Sequence, residues 1–300
     1  MSKRICSIFL LLTLLLALLP LQANAVNAGM AALDMQEISR TEYRISKDVK
    51  EYEWLLNNGS LTKQMVGHVM EIKVGQDSTA TLAAGYSYYN IEDIKNGRWA
   101  MVTTTEQAQA METQRKVNVV GAVNGGGFDM SNGRPSGALV LDGNVIQSAN
   151  STTFWVDKEN NAYITDGTEY NQAVAEGRVS EAISSFGDIL KDGKAFTGLD
   201  NSTRASRTAV GIKADGSVVL FMVDGRQSPY SAGMTMAELA AAMEELGCER
   251  AINLDGGGSS TFATQREGDV VSEVDPNGKS AGLTLRCRPS DGYERRVSNT

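Results

Sequence analysis

The chain has 300 residues, 42% hydrophobic and 21% charged, which is ample for a buried core and too apolar for a disordered segment. Its formal net charge is -8 at pH 7, from 28 Lys and Arg against 36 Asp and Glu. That balance argues against nucleic-acid or anionic-membrane binding through bulk charge, and leaves room only for a local basic pocket.

The first residues have the pattern of an export signal. Lys3 and Arg4 precede an apolar run from Ile5 to Leu19, Pro20 breaks it, and Ala23-Asn24-Ala25 supplies a small-x-small cleavage pattern. Residues 1–25 are therefore expected to be a signal peptide and the mature protein to be secreted or held at the cell surface. The alternative is an uncleaved segment, the one expected route to a membrane, which the short apolar run disfavours. Loss of Lys3 and Arg4 takes the charge to -10, with 26 basic residues against 36 acidic. Cys6 leaves with the leader, and Cys248 and Cys287 remain as either a disulfide or two buried thiols.

Residues 26–100 read as a lead-in of strands and a helix packed on the main body. Tyr52-Glu53-Trp54-Leu55-Leu56 suits a strand or a short helix. From Gln64 the pattern alternates, with Val66, His68, Met70 and Ile72 on one face, and Thr79 to Tyr86 reads as a further strand. His68 is the single histidine, and within a β-run it reads as a core or cross-strand residue. Thr103 to Lys116 is expected to be helical, with Thr103 and Glu106 at capping-box spacing. An apolar strand, Val117 to Val123, then runs into Asn124-Gly125-Gly126-Gly127-Phe128-Asp129.

Hairpins follow. Asp142-Gly143 separates Ala138–Leu141 from Asn144–Ile146, Lys158 to Asn161 turns Phe154–Val156 into Tyr163–Ile164, and Asp215-Gly216 separates Thr208–Lys213 from Ser217–Val223. A second helix is expected from Met236 to Leu246, with Thr235 and Glu238 at capping-box spacing and Gly247 ending it. It leads into the strand before Ala251-Ile252-Asn253-Leu254-Asp255-Gly256-Gly257-Gly258-Ser259-Ser260-Thr261. One or two glycines beside Asn or Asp make an ordinary turn. Three in a row suit a loop whose backbone lies against a ligand, with N–H groups for an anion and Asp255 at the lip. The two glycine loops share one grammar and are expected to meet at one end of one sheet. Together these elements predict an α+β fold with a mixed, mainly antiparallel β-sheet core, hairpins and a few packed helices. No linker divides the chain, so 101–300 reads as one unit; Arg295 to Thr300 looks like the start of a strand, as at a boundary with further sequence.

The residue inventory excludes several chemistries. One histidine and two cysteines are too few for the usual zinc sites, Ser259 lacks a G-x-S-x-G elbow, and neither nucleotide-binding glycine motif is present. Carboxylates and arginines remain. Asp224 and Arg226 follow one strand, Arg207 and Thr208 begin its partner, and Asp255 ends a third. Such an arrangement suits an anionic substrate, since guanidinium forks phosphate while a carboxylate transfers a proton or attacks carbon. The plainer reading is a turn at Asp224-Gly225 with solvated arginines.

The runs Arg207-Thr208-Ala209-Val210-Gly211, Val223-Asp224-Gly225-Arg226, Thr235 to Gly247 and Ile252 to Thr261 resemble the phosphodiester glycosidase family. Asn124-Gly125-Gly126-Gly127-Phe128 and Pro135-Ser136-Gly137-Ala138 extend the resemblance over about residues 100–300. It implies hydrolysis of a sugar-1-phosphodiester, with an α-N-acetylglucosaminyl group among the candidate sugars, to free sugar and a phosphomonoester. By the same resemblance Asp255 and Asp224 are the candidate catalytic carboxylates. Arg207 and Arg226 are the candidate phosphate clamps, and Thr208, Asn124, Asn253, Gly256, Gly257, Gly258, Ser259 and Ser260 complete the binding site. No cofactor is implied. A divalent cation at the acidic loop ends stays open, although no run has calcium-loop spacing. Members of that family commonly carry an aromatic or acidic residue where Gly126 and Gly127 stand, so the resemblance implies a wider pocket edge here. The alternatives are a non-catalytic surface module that binds phosphorylated glycan and a role in exopolysaccharide modification.

Overall fold

The computed structural model describes residues 28–59, 63–86, 91–184, 186–269 and 282–300. The leader-like segment lies outside the described residues. In chain order the first elements are α1 (Ala28–Ala32), β1 (Met35–Arg44), β2 (Val49–Asn58), β3 (Lys63–Ile72), α2 (Ile91–Lys95), α3 (Thr104–Arg115) and β4 (Gly121–Val123). Next come β5 (Leu139–Leu141), β6 (Asn144–Gln147), β7 (Thr153–Asp157), β8 (Ala162–Thr165), α4 (Gly167–Ala175), β9 (Val179–Ser184), β10 (Gly187–Lys191) and β11 (Lys194–Ala195). The chain closes with β12 (Arg207–Lys213), β13 (Val218–Val223), α5 (Met236–Glu245), β14 (Cys248–Asn253), β15 (Phe262–Thr264) and β16 (Thr284–Leu285).

A large sheet of order β1-β2-β3-β13-β12-β14-β10-β11 forms the frame, beside a sheet β16-β15-β4 and a sheet β6-β5-β9-β7-β8. The ladders within these sheets are antiparallel. The expected α+β class with an antiparallel core is what the chain adopts. Tyr52 to Leu56 belong to β2, so the helical alternative for that stretch falls.

The centre of the large sheet is buried on both faces, which explains why β13 reads as an unbroken apolar run, while the edge strand β1 is largely exposed. Odd-numbered Val219, Phe221 and Val223 meet Trp54, Val69, Leu239 and Met243 in one core layer. Even-numbered Val218 and Met222 meet Met70, Ile72, Ile252 and Phe262 in the other. Helix α5 covers the first face, its start fixed by a complete capping box between Thr235 and Glu238. Gly211 lets it come close, because a Cβ there would stand 2.6 Å from Met243 Cε and 2.7 Å from Cys248 Sγ. The two smaller sheets cover the second face. Cys248 lies in the first layer and Cys287 in the second. Both are free and buried, which removes the disulfide alternative. Burial pushes each thiol up to about 12.

Several local expectations are corrected. Thr79 to Tyr86 is not a strand, because side chains from elsewhere take its backbone groups: Asp48 accepts from Thr79 N at 2.9 Å, Asn160 from Leu82 N at 3.3 Å and Glu181 from Ala84 N at 3.2 Å. Val117 to Val123 shrinks to the three residues of β4, with Val119 N donating at 3.1 Å to Glu112 instead of to a ladder. Arg295 to Thr300 makes single bridges, Val297 with Val102 and Asn299 with Tyr86, where a strand start was expected. Helix α4, capped by Asp166, and the β10–β11 hairpin turned by Asp192 and Gly193 were not anticipated.

Candidate functional site

Register brings the chemistry to one edge of the large sheet. Arg207 pairs with Val223, Gly67 also pairs with Val223, and Asn253 pairs with both Ala209 and Gly187. The chain therefore leaves β13 toward Asp224 and Arg226, enters β12 at Arg207 and leaves β14 toward Asp255, all at the same end. Asp255 N donates to Gly125 O at 3.0 Å, so the second glycine loop arrives here too. The expectation of one shared sheet fails: that loop descends from β4 in the three-stranded sheet. The two loops meet across a seam between sheets.

Asn124 closes this seam. Its Nδ2 donates to Asp255 O at 2.8 Å, while its Oδ1 accepts from Thr208 Oγ1 at 2.8 Å and from Thr261 N at 3.0 Å. Thr208 Oγ1 also lies 3.2 Å from Ser260 Oγ. Asn124, Thr208 and Ser260 are fully buried. These three expected binding residues are thus brought together, but as the bracket that fixes the loops rather than as groups facing solvent. Asn253 is buried nearby, with no hydrogen-bond partner at Oδ1.

Asp255 stands at the mouth. Gly256 N donates to its Oδ1 at 2.8 Å. Burial raises its pKa; the Ser259 hydroxyl, the Gly256 amide and the charge of Arg295 each pull the other way. A carboxyl tuned upward by burial suits acid–base or nucleophilic work near a cleft. The three glycines beyond it meet separate demands. Gly257 has φ 62°, a left-handed conformation, and a Cβ on it would stand 3.4 Å from Arg226 Nη1. At Gly258 the Arg295 guanidinium and the Asp291 carboxylate occupy the place of a Cβ. A Cβ on Gly256 would meet Ser206 O at 3.0 Å.

The arginines form the cationic side. Arg207 is held by backbone carbonyls, Nε to Met234 O at 3.2 Å and Nη2 to Thr203 O at 2.9 Å. Its pKa is lowered by burial, with Asp200 opposing and the Arg226 charge adding to the effect. Neither Arg207 nor Arg226 makes an ion pair among the described residues. Arg226 thus lies close enough for its charge to act on Arg207, and two neighbouring guanidinium groups without a carboxylate ion pair suit an anion.

Asp224 is placed differently. It is 0% exposed, with Oδ2 accepting from Tyr230 OH at 2.8 Å and 3.2 Å from His68 Nε2, and Oδ1 accepting from Arg288 N at 2.9 Å. His68 is a core residue, as its strand position suggested, stacked on Phe262 at 5.5 Å. Sequence reasoning missed its bond to Asp224 because 156 residues separate them. It also missed Arg295, which binds Asp291 through Nε at 2.9 Å and Nη2 at 2.6 Å and lies 3.5 Å from Ser259 Oγ through Nη1. No motif marks that arginine; only the shape of Gly258 points to it. Among the described residues no three His, Cys, Asp or Glu side chains gather as a metal site.

The fold and this edge define an α+β protein with a partly buried carboxyl at a strand end, followed by glycine-rich backbone against which Arg207 and Arg226 lie. The phosphodiester glycosidase family description matches residues 117–300, and the chain belongs to that family. It is similar to the SPbeta prophage-derived uncharacterized protein YomE of Bacillus subtilis (strain 168), 29% identical over 211 residues, which cover 66% of this chain and 30% of that protein. It is also similar to the N-acetylglucosamine-1-phosphodiester alpha-N-acetylglucosaminidase of Mus musculus, 27% identical over 168 residues, covering 47% of this chain and 31% of that enzyme. The chain spans about a third of the length of these curated relatives. Its fold matches the catalytic domain of the zebrafish N-acetylglucosamine-1-phosphodiester alpha-N-acetylglucosaminidase with a TM-score of 0.62, 20% identity, and coverage of 89% of this chain and 86% of that one. A hypothetical protein from Synechocystis also matches, with a TM-score of 0.62, 13% identity, and coverage of 87% and 63%.

Proposed function

We propose that the protein hydrolyses a glycosyl phosphodiester, releasing the sugar and leaving a phosphomonoester, with an N-acetylglucosaminyl group as the first sugar to try. The observation that carries this is the shared sheet edge: Asp255 follows β14, and Arg207 and Arg226, which have no carboxylate ion pair among the described residues, lie against the glycines just after it. Arg207 and Arg226 hold the phosphate, and Asp255 acts at the anomeric carbon or on the water that attacks it. Spread of negative charge onto the departing phosphate is met by the guanidinium pair, so the leaving group needs little protonation. Ser259 and Gly256 N–H orient the carboxylate. Asp224 serves as an anchor: with His68, Tyr230 and Arg288 N around it, it fixes the turn that carries Arg226. The leader-like residues 1–25 support a secreted or surface location.

The test is release of reducing sugar from a panel of sugar-1-phosphate methyl diesters. Asp255→Asn should abolish release while the protein stays folded, and the anomer first released separates retention from inversion. Binding of the diester by the unmutated protein with no release of sugar would replace the enzyme by a glycan-binding module.

A further inference from the structure

A glycosyl phosphodiester presents phosphate on one side of the bond to be cut and a sugar ring on the other. The sheet order β13-β12-β14-β10 lays out the edge in the same sense. Arg226 follows β13, Arg207 starts β12 and Asp255 follows β14, so the cations lie to one side of the carboxyl. On its other side is the start of β10. Gly187 pairs with Asn253, which places Phe186 beyond the ladder, next to the point where the chain leaves β14 for Asp255. Adjacent strands are about 4.8 Å apart, so one strand spacing separates Phe186 from the Asp255 strand.

We propose that Phe186 is the platform on which the sugar ring stacks. This rests on the reading of Asp255 and the arginine pair given above. A single exposed apolar side chain needs no explanation on its own. Phe186 is 66% exposed, yet its ring is supported: a Cβ on Gly127 would lie 2.5 Å from its Cζ and 3.1 and 3.2 Å from Cε2 and Cε1. The tip of the ring thus rests on the Gly127 backbone, and at 66% exposure most of the ring stays open beyond that contact. The pocket edge expected to be open at Gly127 is filled by an aromatic from another loop. A pyranose has an apolar face of C–H groups that packs on such a ring, while its hydroxyls turn to polar neighbours. Gly127 is then part of the sugar site as well, because any side chain there would displace the ring.

The experiment uses whichever methyl diester of glucose, galactose or N-acetylglucosamine 1-phosphate the unmutated protein cleaves fastest. Its two products, the free sugar and methyl phosphate, serve as inhibitors. Phe186→Ala should raise KM and the inhibition constant of the free sugar by about tenfold, the scale of one aromatic stacking contact. It should leave the inhibition constant of methyl phosphate unchanged, and Phe186→Trp should restore the sugar values. Unchanged inhibition by the sugar, or an equal shift for methyl phosphate, overturns the platform while leaving the glycosidase reading intact. The Phe186→Trp indole also reports contact without turnover. If no diester is cleaved but the free sugar changes its fluorescence saturably, the platform stands and the glycosidase reading falls; if neither occurs, both fall.

Discussion

Replacement of Asn124 by alanine tests whether the seam between the two sheets is what places Asp255. The carboxamide serves three groups: Asp255 O at 2.8 Å, Thr208 Oγ1 at 2.8 Å and Thr261 N at 3.0 Å. Thr208 Oγ1 keeps Ser260 Oγ as an alternative partner, so its loss is modest. Thr261 N is buried and is left without an acceptor, and Asp255 O, half-buried, loses its donor. An orphaned buried group costs roughly 1–3 kcal/mol, so Asn124→Ala should cost about 2–4 kcal/mol, a large share of the roughly 5–15 kcal/mol of a typical protein. Urea denaturation of both proteins gives the number, and an unchanged m-value shows that the unfolded states compare. Thr208→Val supplies a cycle: because the two side chains share a bond, the double variant should lose less than the two single losses added together. A loss for Asn124→Ala below about 1 kcal/mol, or strictly additive losses, would refute the bracket.

Other outcomes follow from the same geometry. Arg207→Ala should raise KM for the diester and the inhibition constant of methyl phosphate by about tenfold or more, as expected for a lost charge-assisted contact, with the free sugar's inhibition constant unmoved. Asp224→Ala should unfold more easily as well as lose activity, because Tyr230 OH and Arg288 N lose a buried acceptor together; a variant as stable as the unmutated protein would make Asp224 something other than an anchor. The Asp255 carboxyl has a folded-state pKa above its unfolded value, so its contribution to stability is fully present below the unfolded pKa and is lost as pH rises through the folded one. Asp255→Asn should accordingly be more stable than the unmutated protein at neutral pH, with the difference closing in acid; denaturation curves at both ends of that range check the sign, and a gap that widens in acid contradicts it. Cys248 and Cys287 should react with a thiol reagent only after denaturation, and a reductant should leave the melting temperature unchanged.

Local chemistry determined a good part of this protein from the sequence alone. Both predicted helices are closed by capping boxes that need only four residues each, and Asp142-Gly143 turns its hairpin because those two residues adopt positive φ, 49° and 74°. Alternation along β3 identified the face that holds His68 and Met70, since strand side chains point to opposite sides whatever the neighbours are. The strand-end positions of Asp255, Arg207 and Arg226 were legible for the same reason: an apolar run followed by polar residues and glycine marks the place where a strand leaves the core.

What only the tertiary structure decided depends on pairings far apart in the chain. Thr79 to Tyr86 has the composition of a strand, but Asp48, Asn160 and Glu181 reach its amides first, and no local pattern encodes those partners. The family resemblance makes Asn124 and Thr208 ligand contacts; buried against each other, they satisfy their hydrogen bonds internally. Asp224 and Asp255 are both acidic residues at strand ends, and sequence treats them alike. Packing separates them: one is enclosed by His68, Tyr230 and Arg288, while the other stays partly exposed beside the glycine turn against which Arg226 lies, because burial and sheet order are properties of the assembled layers and not of any short stretch of chain.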